Sequence, residues 1–282
     1  MYKRKSLISS IFSLISYSNK IIFITVLFYF LFLISNLFIE NLDKFIFLNP
    51  GDILNGSHIW TLFTSIFMHG NVFHLFVNMI TLFFLGNFSE QIIGRKRFIL
   101  LYILAGLFGG LFYVAGAFIG SKMPYLANVL GTLDVSAVGA SGALFGLLGL
   151  LAVLVPRFKV YLIAGPIIVI ILSFLIESLF PGPFGIFVSF LASIITFVMI
   201  FFMFSANPRF RKYAVPIGMK MWIAPIVAIL PLVLVSFFVD LPIGNTAHLG
   251  GLVVGFIYGI FLRLKYPKKI AFLQKLLERG NV

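Results

Sequence analysis

Four polar residues, far apart in the sequence, have side chains that together could hydrolyse a peptide bond. Ser141 stands at the start of one hydrophobic run and His248 near the start of another. A serine hydroxyl becomes a nucleophile when an imidazole lies within about 3 Å and takes its proton. His74 and Asn78 are four residues apart, so they would share one helix face, and both can donate hydrogen bonds to the oxyanion of a tetrahedral intermediate. These residue types predict a serine hydrolase site, provided that the fold brings them together.

Glycines surround Ser141 and follow His248, and they admit two interpretations. Gly139 precedes the predicted helix, whose first N–H groups lack partners and carry partial positive charge, which suits an oxyanion beside Ser141. Small residues at this spacing are also common where membrane helices simply pack. If the two glycine stripes face each other, the helices can approach closely enough to pair the serine with the histidine. The stripes are Gly142, Gly146 and Gly149 in one run, and Gly251, Gly255 and Gly259 in the other.

The composition is that of an integral membrane protein. Of the 282 residues, 61% are hydrophobic and 10% are charged, whereas about 25% of the residues in soluble domains are charged. The net charge of +13 could indicate a protein that binds nucleic acid. The basic residues, however, lie between apolar runs long enough to cross a bilayer, so we expect lipid and no nucleic acid as a partner. The chain has no cysteine, which excludes disulfides and thiolate chemistry.

Eight apolar runs predict an all-α polytopic membrane protein. With the N-terminus inside, the inner segments hold nineteen Lys and Arg residues and the outer loops hold only Lys44 and Lys122, as the positive-inside rule requires. Residues 1–20 and 266–282 are then basic cytoplasmic segments. The second, fourth and eighth runs enter from outside, which places the four candidate residues at a similar depth. The predicted spans are 21–39, 72–93, 98–119, 139–155, 160–180, 185–205, 222–239 and 245–262.

The histidines could also suggest a metal site. His69 and His74 are close in sequence, and His248 could serve as a third ligand. No carboxylate lies near the first two in sequence, and no HExxH spacing is present. We therefore predict neither a metal nor another cofactor. Glu177, a carboxylate within the fifth run, receives no role from the sequence.

The order of these motifs resembles that of the rhomboid intramembrane serine proteases, over about residues 20–156 and 208–265. Two departures stand out: Thr61 follows Trp60 where the family commonly has arginine, and residues 157–207 hold two extra spans. An even number of inserted spans leaves the direction of the last span unchanged. The matching residues are Phe67-Met68-His69-Gly70, His74, Asn78, Gly86, Glu90, Gly94-Arg95, Phe98 to Tyr102, Gly139-Ala140-Ser141-Gly142, Ala247-His248-Leu249-Gly250-Gly251 and Gly255.

The resemblance implies a fold and a role for each candidate residue. A rhomboid-like membrane domain would occupy residues 21–265, with a six-helix core and a helical pair inserted at about 157–207. Ser141 would be the nucleophile and His248 its general base, a dyad without the aspartate of a triad. The implied supporting residues are His74, Asn78 and the Ser141 backbone N–H for the oxyanion hole, Phe145 packed against the histidine ring, and Gly139 and Gly142 beside the serine.

The resemblance also implies substrates and a location. The substrates would be transmembrane or membrane-anchored proteins cleaved near the outer face, with the span at 222–239 acting as a gate. We expect an integral protein of a prokaryotic cell membrane. The alternative is a rhomboid-like pseudoprotease, which binds membrane clients without cleaving them, although such proteins lose the serine or histidine that this chain keeps. A transporter is a third possibility, but the polar cluster does not continue toward the inner face.

Overall fold

The computed structural model of the chain describes residues 15–203, 215–239, 241 and 243–279. Most of the predicted segment 1–20 lies outside these ranges, as do Arg209, Arg211 and Lys212 of the basic connection after the sixth span. In chain order the helices are α1 Tyr17–Ser35, α2 Pro50–Leu54, α3 Thr61–Thr64, α4 Val72–Ile93, α5 Arg95–Lys122, α6 Ala127–Leu130, α7 Ser141–Leu154, α8 Ala164–Leu179, α9 Pro183–Met203, α10 Ala224–Ser236, α11 Asn245–Lys265 and α12 Pro267–Arg279. The strands are β1 Lys159–Ile163 and β2 Pro216–Lys220.

Eight of these helices correspond to the eight predicted spans. Five of them, α1, α4, α5, α9 and α11, are long and apolar enough to cross a membrane, and α7, α8 and α10 are shorter apolar helices. The prediction of an all-α polytopic membrane protein is confirmed. With 14 residues, α7 is only about 20 Å long. It is therefore shorter than the hydrocarbon core of a bilayer, which is about 30 Å thick.

α7 lies at the centre of the bundle and contacts α11 backbone to backbone. A Cβ added at Gly251 would overlap the carbonyl oxygen of Gly142, and a Cβ at Gly255 would overlap that of Gly146. Gly109 of α5 also lies against α7, since a Cβ added at Gly109 would be 3.4 Å from the Cα of Gly142. The two glycine stripes do face each other, and the absence of side chains sets the distance between the helices.

The chain that leaves and re-enters this core forms a two-stranded antiparallel sheet that the sequence analysis did not predict. β1 pairs with β2 so that Lys159 lies opposite Lys220. Directly after β2, the N–H of Met221 donates to the carbonyl of Phe158 at 2.9 Å. The sheet thus returns the chain to the end of α7 before α10 begins, and the pair α8 and α9 projects from it.

Glu177 in α8 has a partner within the inserted pair. Ser189 of α9 donates its hydroxyl hydrogen to Glu177 Oε2 at 2.5 Å. Gly185 allows this approach, since a Cβ there would be 3.2 Å from the Cα of Glu177. Polar groups in a membrane are costly unless they are paired. The hydrogen bond pairs the carboxylate within the inserted helices, which explains how α8 can carry it.

α1 begins at Tyr17, inside the segment 1–20 that the sequence analysis treated as preceding the first span. Glu90, near the end of α4, accepts hydrogen bonds from the backbone N–H groups of Tyr17 and Ser18 at 3.1 and 2.9 Å. Arg95 Nε lies 3.3 Å from the same carboxylate. Because a helix N-terminus carries partial positive charge, a carboxylate stabilises it. This contact starts the helix earlier than hydropathy suggests.

The loop between α1 and α4 is anchored even though Thr61 stands where an arginine was expected from the resemblance. Trp60 Nε1 donates to the carbonyl of Phe45 at 2.9 Å. His58 Nδ1 lies 3.0 Å from Asp52 Oδ2, and its ring contacts that of Trp60 edge to face. Thr61 itself is buried. Other contacts therefore hold the loop in place.

We predict that Gly255→Ala destabilises the protein by about 2 kcal/mol, the usual cost of an overpacked core. The added methyl group would overlap the carbonyl of Gly146 and push α11 away from α7. The apparent melting temperature in detergent measures the effect. Gly70→Ala is the control, because a Cβ at Gly70 meets nothing within 4 Å. Equal melting temperatures for the two variants would contradict the backbone contact.

Candidate active site

The first residue of α7 and the fourth residue of α11 meet at one end of their contact. Ser141 Oγ lies 2.9 Å from His248 Nε2, which is a hydrogen-bond distance. In the imidazole tautomer protonated on Nδ1, Nε2 accepts the hydroxyl hydrogen. His248 is buried, with 7% of its surface exposed. The fold therefore brings together the two residues that the sequence analysis placed in separate spans, in the geometry that transfer of a proton from serine to histidine requires.

An aromatic ring fixes the plane of the histidine. Phe145 lies four residues after Ser141, on the same face of α7, and its ring stacks on that of His248 with centroids 4.3 Å apart and planes 22° apart. This stacking restricts rotation of the imidazole about its Cβ–Cγ bond. Ser141 and Phe145 thus contact two different parts of the same side chain.

His74 lies on the other side of the serine, in space left open by a glycine. Gly139 has φ +135°, a conformation that residues with side chains rarely adopt. A Cβ at Gly139 would be 2.9 Å from Cε1 of His74 and 3.7 Å from Ser141 Oγ. The N–H of Gly139 donates to the carbonyl of Ser65 at 2.9 Å, which holds this turn in place. The structure places His74 and the Ser141 hydroxyl against the same glycine.

Asn78 is buried one turn along α4 from His74. Its Nδ2 donates to the carbonyl of His74 at 3.0 Å, and one amide hydrogen remains for another acceptor. No hydrogen bond joins Asn78 to Ser141 among the described residues. Its predicted role in an oxyanion hole stays a prediction, and so do the roles of His74 and the Ser141 backbone N–H.

His69 packs behind His74, and the sequence analysis gave it no role of its own. The two rings meet edge to face with centroids 5.0 Å apart. His69 is 1% exposed, and neither of its ring nitrogens has a hydrogen-bond partner in the part of the chain that the structure describes. Burial lowers the pKa of His69 to about 3, so its ring is neutral. Within the same described ranges, no three His, Cys, Asp or Glu residues form a group that could hold a metal ion.

Asn245 fixes the start of α11, and it too was missed. Its Nδ2 donates to Ser236 Oγ, at the end of α10, at 2.9 Å. Both residues are buried. Ser236 is a lone polar residue in an apolar run, whereas Asn245 stands beside Thr246 at the start of one, and nothing in the sequence paired the two. This hydrogen bond links α10 to the helix that carries His248.

The segment that leads into Ser141 is tied to the loop between α1 and α4. Leu48 and Ala137 exchange two backbone hydrogen bonds, at 3.1 and 2.8 Å. Gly51 donates a third backbone bond, to Leu133, at 3.0 Å. The position of the serine therefore depends on the loop between α1 and α4 as well as on α7.

Comparison with known proteins identifies one family. The model of a Rhomboid domain matches residues 56–203. This match includes His74, Asn78 and Ser141, and it ends before α10 and α11, so His248 is placed by the structure alone.

Three relatives from Arabidopsis thaliana are similar to parts of the chain. "RHOMBOID-like protein 1" is 38% identical over 86 residues, 29% of this chain and 22% of the relative. "Inactive RHOMBOID-like protein 8" is 39% identical over 62 residues, 22% of this chain and 18% of the relative. "RHOMBOID-like protein 4" is 41% identical over 58 residues, 21% of this chain and 14% of the relative. The chain thus spans about a fifth of the length of the curated relatives that it matches.

We predict that acid destabilises the protein partly through His69. The unfolded chain binds a proton at this residue below its usual pKa of about 6.5, whereas the folded protein does so only near a pKa of 3. The contribution of neutral His69 to the free energy of unfolding is therefore lost as the pH falls from about 6.5 toward 3. Melting temperatures at about pH 7.5 and about pH 5 should differ less in His69→Gln than in the wild type. The same pH dependence in both proteins would contradict burial of a neutral ring.

Proposed function

The chain belongs to the rhomboid family, and we propose that it is an intramembrane serine endopeptidase with Ser141 and His248 as its catalytic dyad. The observation that carries the proposal is the 2.9 Å separation of Ser141 Oγ and His248 Nε2 within a bundle of membrane-spanning helices. Ser141 is half-buried, and packing alone would not require a histidine beside it. A hydroxyl that points at an imidazole nitrogen is what nucleophilic catalysis requires.

In the proposed reaction, Ser141 Oγ attacks the scissile carbonyl carbon and its proton passes to His248 Nε2. The resulting imidazolium gives that proton to the leaving amine, which breaks the C–N bond and leaves an acyl-enzyme. Water then attacks the ester with His248 as general base, and the proton returns to Ser141 as the carboxylic acid product leaves. The enzyme needs no metal and no cofactor for these steps.

The proposed oxyanion hole consists of three donors: His74, Asn78 and the backbone N–H of Ser141. The support is that the His74 ring and the Ser141 hydroxyl border one space beside Gly139, and that Asn78 has an amide hydrogen to spare. Fixed donors in a site of low dielectric stabilise a developing oxyanion without the reorganisation that water would need.

The proposed substrates are transmembrane or membrane-anchored proteins. A scissile bond within a helix becomes accessible only when its segment unwinds, so segments that tolerate loss of helical hydrogen bonds are favoured. The excess of Lys and Arg on one side supports cytoplasmic termini and a site open toward the outer face. The three relatives described above come from a plant, and location in a prokaryotic cell membrane stays a prediction.

α10 is proposed as the gate through which the substrate reaches the dyad. Pro231 lies inside this helix and removes one backbone hydrogen bond. Of its thirteen residues, only Pro225 and Ser236 are buried. The hydrogen bond from Asn245 to Ser236 would hold the gate closed at the level of His248.

A rhomboid-like pseudoprotease is the second candidate, and one comparison favours it. A relative of 39% identity over 62 residues carries the name "Inactive RHOMBOID-like protein 8". Such a protein would bind transmembrane clients next to Ser141 and His248 without cleaving them. Ser141 and His248 are both present in this chain and hydrogen-bonded, which favours the protease.

We predict that Ser141→Ala and His248→Ala each abolish cleavage of a model transmembrane substrate by the purified protein in liposomes. Each variant removes one half of the proton transfer. A fluorophosphonate probe should label the wild type at Ser141 and leave Ser141→Ala unlabelled. Ser89→Ala, which changes a serine buried near the far end of α4, is the control and should keep full activity. Substrate that co-purifies with an uncleaving, unlabelled wild type would establish the pseudoprotease instead.

We predict that His74→Ala and Asn78→Ala lower kcat by about 100-fold or more and change KM little, because an oxyanion hole acts on the transition state. Steady-state cleavage kinetics in detergent separate the two constants. Asn87→Ala, on the same helix but at its other end, should leave both constants unchanged. A rise in KM alone would show that the two side chains bind substrate and do not stabilise the oxyanion.

A further inference from the structure

A cavity of about 260 Å³ lies at the end of the bundle opposite to Ser141. It forms where α7 ends, where β2 leads into α10, and where α11 ends. The length of α7 places it about 20 Å from the serine hydroxyl, so the cavity is not part of the active site. Its main lining residues are Arg157, Lys220, Trp222, Arg263, Gln274 and Glu278.

The lining carries more positive than negative charge. Arg157, Lys220 and Arg263 supply three cations, and Glu278 supplies one carboxylate. Arg157 Nη1 lies 3.6 Å from Glu278 Oε1. Among the described residues, neither Lys220 nor Arg263 has an ion-pair partner. Two cations therefore border the cavity without a neutralising group.

The sheet adds a like-charge contact to this imbalance. Lys159 and Lys220 are directly opposite each other in the antiparallel pair, so their side chains project from the same face. Like charges in this position destabilise a sheet. A bound anion next to Lys220 would offset that repulsion.

α12 forms one wall of the cavity and has the composition of a helix at a membrane surface. Ile270 packs into the core, whereas Phe272 and Leu276, which share a face four residues apart, are 69% and 58% exposed. Gln274 Nε2 donates to the carbonyl of Leu154 at 2.8 Å, which ties α12 to the last turn of α7. Basic helices that expose large apolar residues bind at the interface of anionic bilayers.

We propose that this cavity binds the phosphate of an anionic phospholipid headgroup. Arginine and lysine recognise phosphate, arginine through paired N–H donors. Basic pockets between membrane helices are suited to such headgroups. Trp222, which is 48% exposed at the cavity, belongs to the residue type favoured at the membrane interface. The apolar face of α12 places the acyl chains of the bound lipid beside the cavity, which favours a lipid over phosphate in solution.

The position of Trp222 provides a direct test, because the chain has only two tryptophans. The full-length protein is placed in phosphatidylcholine nanodiscs that contain, at equal mole fraction, phosphatidylglycerol or phosphatidylcholine brominated close to the headgroup. Trp222→Phe reports the signal of Trp60 for subtraction. We expect brominated phosphatidylglycerol to quench Trp222 more strongly than brominated phosphatidylcholine. Equal quenching by the two lipids overturns the proposal.

Variants separate a built site from general attraction to a charged surface. Lys220→Gln with Arg263→Gln should reduce the preference for phosphatidylglycerol by about tenfold for each cation removed, because each loses a charge-assisted hydrogen bond to the phosphate. Glu278→Gln should increase the preference, a direction that misfolding would not produce. The matched control exchanges three cations of α12 that are not among the lining residues of the cavity for glutamine, namely Lys268, Lys269 and Lys275. This control should retain most of the preference. An equal loss in this control overturns the proposal.

A final arm distinguishes lipid from free phosphate. Inorganic phosphate is compared with sodium chloride at the same ionic strength. If the lipid is the ligand, the two salts reduce the excess quenching equally, since both act by screening. A specific loss with inorganic phosphate assigns the cavity to a soluble phosphate and overturns the lipid assignment. None of these readouts depends on proteolysis by Ser141.

Discussion

The direct contact between the backbones of α7 and α11 is the constraint on which the rest of the structure depends. Where a Cβ at Gly251 or Gly255 would overlap a carbonyl of α7, no residue other than glycine fits without moving a helix. At this separation a serine and a histidine on the two helices reach hydrogen-bond distance. Larger residues would place the helices at the usual 8–10 Å between axes, and the pair would separate. Packing and chemistry are therefore not alternative explanations of the glycine stripes, because the first produces the second.

Outside this contact, hydrogen bonds between polar groups of different helices connect parts of the bundle. Glu90 accepts from the first N–H groups of α1, and Asn245 donates to Ser236 of α10. In lipid an unpaired backbone or side-chain group is costly, because no water replaces the missing partner. Each of these bonds therefore fixes where a helix starts. The start of a helix is the part that matters here, since Ser141 and His248 both lie within the first turn of theirs.

The sequence was sufficient to predict the parts of the fold that depend on hydropathy, on charge and on the spacing of glycines. It was insufficient for the parts that depend on contacts between residues far apart in the chain. Eight apolar runs and their basic flanks predicted the eight apolar helices, and the spacing of glycines indicated which faces meet. The sheet between β1 and β2 was missed because Lys159 and Lys220 are separated by two entire spans, so no local pattern links them. His69 was named in a motif, but only the fold shows that its ring packs against His74. The start of α1 at Tyr17 depends on Glu90, a residue of another helix.

The proposed dyad raises the question of what orients His248 in place of the aspartate of a triad. Among the residues that the structure describes, no carboxylate forms an ion pair with His248. Phe145 supplies a geometric constraint instead, since a ring stacked at 4.3 Å blocks rotation of the imidazole. In the proposed mechanism the same ring also faces the imidazolium that forms when Ser141 is deprotonated, and the negative face of an aromatic ring stabilises a cation by about 0.5–2 kcal/mol. In the proposed mechanism, stacking on Phe145 thus orients the imidazole as an aspartate would and supplies a smaller part of the stabilisation of the imidazolium. This is consistent with a dyad being a slower catalyst than a triad.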